Sequence, residues 1–366
     1  GGAGGSTLLN STDPFYKEFR DLPYHVAISR LTAAAREARS QYGELQGADL
    51  AGLKTFVKGL PSVFLLERLS DVATPVAAQV RQQLFHDRLG VELGLVEGGD
   101  VESAAAFMEE LIHRGTPLVD VLRLVVLANE VGHGLPKRAL DSLRHEMCCA
   151  YGHAHALSLG ALERAGFLRQ APPGRSPFIA VRKALRLVVP EQEGANPDAP
   201  PTDVSHLYKG YAPLSIRLVE TALRPGPGGG WGGQTAEALS ILPGPAFDII
   251  QATDPGTGAP VERPAKQYNN NSNTPTASST GGAGGTTAAG GEDVQQQQQG
   301  GGDVVLVVFL GGVTFSEISA LRWLSGRPEC PYRFVVLTTK VITGRTLLAP
   351  FLDPAALRAE RAIGLQ

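Results

Sequence analysis

Cysteine is scarce in this chain: three in 366 residues, with Cys148 and Cys149 adjacent and Cys330 far away. That pattern fits neither a disulfide framework nor a zinc-ligand spacing, so a reduced, cytosolic setting is the default. Excess charge of either sign is missing too. A formal net charge of -3 gives no global field that would single out nucleic acid or an anionic membrane as the main partner. No apolar run approaches the ~20 residues of a membrane-spanning helix, and no signal-peptide pattern opens the chain. The Gly-x-Ser-x-Gly elbow, the full dinucleotide glycine fingerprint and the Lys-Ser/Thr of a P-loop are absent as well. No catalytic residue, cofactor or metal is expected.

What the chain has in excess is glycine and proline, 44 and 26 residues, gathered into linkers. Residues 255–302 form a low-complexity stretch with an Asn run and Gln295 to Gln299. Too little apolar surface is present there to offset ordering entropy, and a disordered insert is expected. Immediately after it, Val304 to Leu310 is an unbroken apolar run of the kind that parallel sheets bury on both faces. Gly311-Gly312 follows, then Thr314 and Glu317 at capping-box spacing, an amphipathic stretch, and a second apolar run from Phe334 to Leu337. These residues predict one β-α-β unit, with no further strands upstream to complete a sheet. Together with an opening Gly1-Gly2 and no initiator Met, this leads to the expectation that the chain is the C-terminal part of a longer protein.

Before the insert the periodicity is helical. Apolar stripes at Val26, Leu31, Ala34 and Ala38, at Leu50, Leu53, Phe56, Val57 and Leu60, and at Leu65, Leu69, Val72, Val76, Val80 and Leu84 place a helical hairpin around the Leu60-Pro61 break. Thr74-Pro75 in the second arm either kinks it or starts a new helix with Thr74 as cap. Thr116-Pro117 repeats that logic ahead of an apolar helix reaching Leu127. Further helices are predicted over 136–150, 156–166 (ending at Gly166), near 178–188, and from Pro213.

Few residues carry candidate chemistry. Gly311-Gly312 at a strand-to-helix turn could hold a phosphate, but a tight structural turn is the simpler reading. His145, His153 and His155 with Cys148 and Cys149 lack the second, separated ligand pair a zinc site needs. Residues 136–188 resemble a winged-helix arrangement, but their basic residues are interleaved with core leucines, which argues against nucleic acid.

Six blocks in order carry a resemblance. Arg20-Asp21-Leu22-Pro23-Tyr24, Lys54 to Pro61, Val121 to Val125, Leu162 to Leu168, Tyr211 to Ser215 and Ile241 to Pro245 lead to Leu306 to Ser325 and Tyr332 to Lys340. The chain resembles the SM (Sec/Munc-type) regulators of SNARE-driven membrane fusion, and within them the vacuolar protein-sorting branch. The resemblance implies an α/β multidomain arch, of which this chain would hold the helical third domain and the C-terminal β-α-β part of a parallel-sheet second domain. The N-terminal half would be missing. The implied divisions are a connector over 1–13 and the third domain over 14–205, with a SNARE-binding hairpin at about 49–88. A return into the second domain spans 206–254, then come the insert at 255–302, the β-α-β unit at 303–353 and a tail at 354–366.

The resemblance also implies a non-enzymatic protein. It would guide assembly of syntaxin-like and R-SNARE motifs as a subunit of the HOPS and CORVET tethering complexes. It would sit on endosomal and vacuolar (lysosomal) membranes only through partners. Phe56, Leu60, Pro61, Val63, Phe64 and Leu65 at the hairpin tip would meet the SNARE, although Phe56 and Leu65 also suit a core. Arg144, Tyr151, His153 and Ala156 would meet vacuolar protein sorting-associated protein 16. Two departures stand out. The second arm reads Ser70-Asp71-Val72-Ala73 where the family often has Leu-x-x-His, and His153 and Ala156 replace larger anchors. The alternatives are a plain scaffold of the tether without any effect on SNAREs, and a nucleotide-binding α/β enzyme.

Overall fold

A computed structural model describes residues 14–44, 69–174, 176–189, 201–223, 239–240, 242, 303–352 and 354. Among these residues the chain is mostly helical, with one small parallel sheet of two strands. The first helices are α1 (Pro14–Phe19) and α2 (Tyr24–Glu44). Residues 69–80 are helical straight through Thr74-Pro75. The Thr74 hydroxyl donates to the Ser70 carbonyl at 2.8 Å, so it bonds back one turn and does not cap a new helix.

The helical core is built on α3 (Gln83–Glu97), α4 (Val101–His113), α5 (Leu118–Gly132), α6 (Lys137–Tyr151) and α7 (His155–Arg164). α5 is its axis. Leu118, Val121, Leu122, Leu124, Val125 and Ala128 are fully enclosed, because apolar residues occupy nearly every position of this helix and leave little polar face. Its N-cap is Pro117, with no side-chain capping bond, and it runs five residues past Leu127. Thr116 is therefore not the cap its position predicts. Buried Asn129 is satisfied: its carbonyl accepts from the Arg169 amide at 2.8 Å, and its amide donates to Glu130 at 3.0 Å. Gly134, at φ 113°, lies so close to the 170–171 backbone that a Cβ would stand 2.6 Å from Ala171. That contact allows Leu135 to bridge with Gln170. α8 (Pro177–Ala184) starts at Ser176, whose hydroxyl accepts from the Phe178 amide and donates to the Val131 carbonyl at 2.6 Å.

A smaller core joins a 3-10 turn (Val204–Tyr208), α9 (Leu214–Leu223), β1 (Asp303–Phe309), α10 (Phe315–Ser325) and β2 (Tyr332–Thr338). β1 and β2 pair in parallel, with Val305 opposite Phe334 and Val307 opposite Val336. α10 crosses between them from the predicted capping box. The Thr314 hydroxyl accepts from the Glu317 amide, and the Glu317 carboxylate accepts from the Thr314 amide at 2.8 Å. Thr314→Ala removes one half of that box and is expected to cost about 1 kcal/mol, read as a shift in the urea midpoint with an unchanged slope. Burial alternates along both strands. Val307, Phe309, Phe334 and Val336 are only part-exposed and face the core, Val305 is part-exposed as well, and Val304, Leu306, Val308, Val335 and Leu337 are exposed. The expectation of burial on both faces is met on one face only among the described residues, which cover one side of the sheet.

Polar contacts tie distant segments to this unit. Asp21, in the turn between α1 and α2, accepts from Ser319 Oγ at 2.6 Å and Arg322 Nη1 at 3.0 Å. Buried Arg217 donates to both oxygens of Asp203 at 2.6 and 3.1 Å and to Glu220 at 2.8 Å. Burial pushes the Asp203 carboxyl up. Hydrogen bonds from Arg217 and Ser205 outweigh it and hold the group far below the usual carboxylate range. The Tyr208 phenol, donating to the Ser316 carbonyl at 2.7 Å, is pushed by burial up to about 12.

After β2 the chain turns into α11 (Gly344–Leu348) and a 3-10 turn (Ala349–Phe351). Leu348 and Leu352 are buried, and they belong to the helical core around α5, not to the core beneath the sheet. Burying a leucine of this kind stabilises the fold by about 1.5–3 kcal/mol.

Candidate functional site

The hairpin-tip residues Phe56, Leu60, Pro61, Val63, Phe64 and Leu65 lie outside the described residues. The helical stretch 69–80 that follows is described. On it, Val72 and Val76 are exposed and stand four apart on one helix face, an apolar stripe that no described residue covers.

The second candidate block is the junction of α6 and α7. α6 turns its Leu140, Leu143 and Met147 inward, which sends the intervening residues outward at helical spacing. Arg144 pairs with Glu163 of α7, so it cross-links the two helices. The Tyr151 phenol donates to the Thr116 carbonyl, and the ring packs against the core. α6 then ends at Gly152, at φ 105° and ψ 148°, a conformation that L side chains rarely adopt. Beyond this turn, His153, Ala154, Ala156 and Leu157 are exposed, while His155, Ser158, Leu159 and Leu162 are buried. Of the four residues named from sequence, the structure presents His153 and Ala156 outward and places Arg144 and Tyr151 as supports behind them. Leu157, 76 % exposed, was not among them. Its signal was there to read: core positions 155, 158, 159 and 162 form one stripe, and a leucine at 157 falls off it.

Elsewhere the geometry narrows the options. Gly311 and Gly312 both have positive φ. At the head of α10 the Thr314 amide donates to the Glu317 carboxylate and the Glu317 amide to the Thr314 hydroxyl, which puts a negative charge beside the turn where a phosphate would sit. Glu317 also accepts from the Ser215 hydroxyl. Cys149 Sγ lies 3.7 Å from His145 Nε2, and among the described residues no group of three or more metal-ligating side chains comes together. No helix among them is long and apolar enough to cross a membrane.

A family model described as the Sec1 family matches residues 5–350. The chain is similar to the vacuolar protein-sorting-associated protein 33 homolog of Arabidopsis thaliana, 34 % identical over 346 residues, covering 94 % of this chain and 52 % of that protein. Against vacuolar protein sorting-associated protein 33A of Rattus norvegicus the identity is 33 % over 366 residues, covering 96 % and 54 %. Against vacuolar protein sorting-associated protein 33B of Homo sapiens it is 28 % over 378 residues, covering 93 % and 54 %. The chain spans about half the length of the curated relatives it matches.

Proposed function

This chain belongs to the Sec1 family, and from that premise we propose that it is part of an SM-type regulator of SNARE assembly in vesicle docking and fusion. Proteins of this family are non-enzymatic regulators of vesicle traffic, and the Glu317 carboxylate at the head of α10 disfavours a phosphate beside Gly311-Gly312. The observation that supports the reading is the Val72–Val76 stripe, exposed among the described residues, on the helical stretch 69–80. A SNARE motif is an amphipathic segment that loses conformational entropy when it zippers. An apolar helix face that holds it in register lowers that cost in the encounter.

The vacuolar relatives extend the proposal. The protein would serve at late endosomal and vacuolar (lysosomal) membranes, held there by partners as a subunit of HOPS- or CORVET-type tethers. Vacuolar protein sorting-associated protein 16 would dock on the α6–α7 junction. In the same reading, residues 14–205 form the helical third domain, and the exposed sheet face at Val304, Leu306 and Val308 is covered by further segments of the longer protein. The scaffold reading stands second, favoured by Ser70-Asp71-Val72-Ala73, which puts an acid and small residues where the family's arm is bulkier.

The test is co-purification of the full-length protein with its tether subunit and a vacuolar SNARE motif, comparing wild type with Leu60→Asp. A charge inside an apolar helix groove costs about 2 kcal/mol or more, so SNARE capture is expected to fall at least tenfold while the tether subunit stays bound. Equal SNARE capture by both forms moves the contact off the hairpin. No capture by either leaves the scaffold reading in its place.

A further inference from the structure

The segment after β2 belongs to two units at once. At its start it is bonded into the α/β unit: the Val313 amide donates to the Lys340 carbonyl at 3.0 Å, and the Ile342 amide donates to the Val313 carbonyl at 2.9 Å. Val313 itself is fully buried. Only Thr343 separates this anchor from α11, and its side chain caps that helix through the Thr346 amide at 3.2 Å. No slack linker intervenes. From Gly344 onward the segment packs on the helical unit. Gly344 lies against Arg123 of α5, where a Cβ would stand 2.8 Å from Arg123 Nε. Arg345 donates to both oxygens of Asp120 at 3.2 and 3.3 Å. Leu348 and Leu352 enter the helical core, and the Phe351 ring meets Phe167, just past α7, edge to face at 5.4 Å.

We propose that residues 340–352 are a coupling strap, through which the α/β unit and the α5–α7 part of the helical unit open and close as one cooperative body. A stiff segment anchored in both cores transmits loosening in either direction, because neither core can release it without losing its own contacts. Coupling of this kind is reciprocal. The ion pairs at Asp120 set the register in which α11 meets α5, while the leucines and Phe351 hold it there.

Hydrogen exchange by mass spectrometry on the full chain tests this. Leu348→Ala empties one strap position in the helical core. Amides of α5 and α7, and also those of β1, β2 and α10, are expected to exchange about tenfold or more faster. Leu324→Ala loosens the α/β core from its own side and should accelerate α5 and α7 as well. Arg345→Glu reverses an exposed charge at Asp120 without disturbing either core. It keeps the test open if a cavity variant does not fold, with a smaller acceleration, about two- to fivefold, in the same two sets of amides. The proposal is overturned if strap variants accelerate only residues 340–352, or if Leu324→Ala leaves α5 and α7 at wild-type rates.

Discussion

Replacing Arg217 with methionine is expected to lower the unfolding free energy of the chain by about 3 kcal/mol, one of the largest losses a single substitution can cause here. The Arg217 side chain is only 7 % exposed and serves two carboxylates, Asp203 in the turn before α9 and Glu220 one turn further along α9. Methionine keeps much of the volume but leaves both acids facing a place where their cation was, and an uncompensated charge at a buried position costs far more than an absent ion pair at the surface. Equilibrium urea denaturation at neutral pH reads the effect. The same pair has a signature in acid. The Asp203 carboxyl is held below its ordinary value in the fold, so its contribution is fully present above the unfolded value near pH 4 and is lost as the pH falls through the folded value. Wild type therefore loses stability between about pH 4 and lower values, and the methionine variant, with that shift removed, loses less over the same window. A neutral-pH loss below about 1 kcal/mol would place the cluster with ordinary surface pairs.

The second large effect lies at the α6–α7 junction. Ala156→Asp is expected to weaken binding of the full-length protein to vacuolar protein sorting-associated protein 16 by about 30-fold or more, the loss of one hot-spot residue. Stability should stay within about 0.5 kcal/mol, since Ala156 is exposed and packs on nothing that a carboxylate disturbs. His153→Tyr should act in the opposite direction by restoring an aromatic anchor to the same surface. Titration calorimetry with the isolated helical repeat region of the partner measures both. Unchanged affinity in both variants would move the interface away from this turn.

Much of this architecture was legible in the sequence because it rests on local signals. The capping box at Thr314 and Glu317, the glycine stop at Gly166, and the bounds of α6 and α7 within one or two residues all depend on neighbours along the chain. The nearly unbroken apolar run of α5 announced its burial. Long-range partners leave no such trace. Nothing in the neighbourhood of Asp21 tells that it will accept from Arg322, and nothing near Leu348 tells which of two cores will take it. Burial on the second face of β1 could not be judged from Val304 to Leu310 either, because an apolar run records what a strand can tolerate and not what the chain itself supplies. At the α6–α7 junction, residue types distinguished neither the supporting Tyr151 from the presented His153 nor the solvent-facing Leu157 from its buried neighbours. Those distinctions depend on helix phase, which becomes definite only once the turn at Gly152 is fixed.

The position of Leu348 and Leu352 has a consequence for how the protein is made and inherited. During synthesis the helices from α3 to α7 leave the ribosome long before the residues that finish their core, and they must wait, with a hole beside α5, through the translation of roughly 180 further residues, ~10–40 s at ordinary elongation rates. A chaperone that shields that hole would be needed most in this interval. A premature stop codon anywhere upstream of Leu348 would then injure the helices encoded well before it. Alleles truncated shortly before Leu348 should behave as losses of the whole helical core, and not as losses of α11 alone.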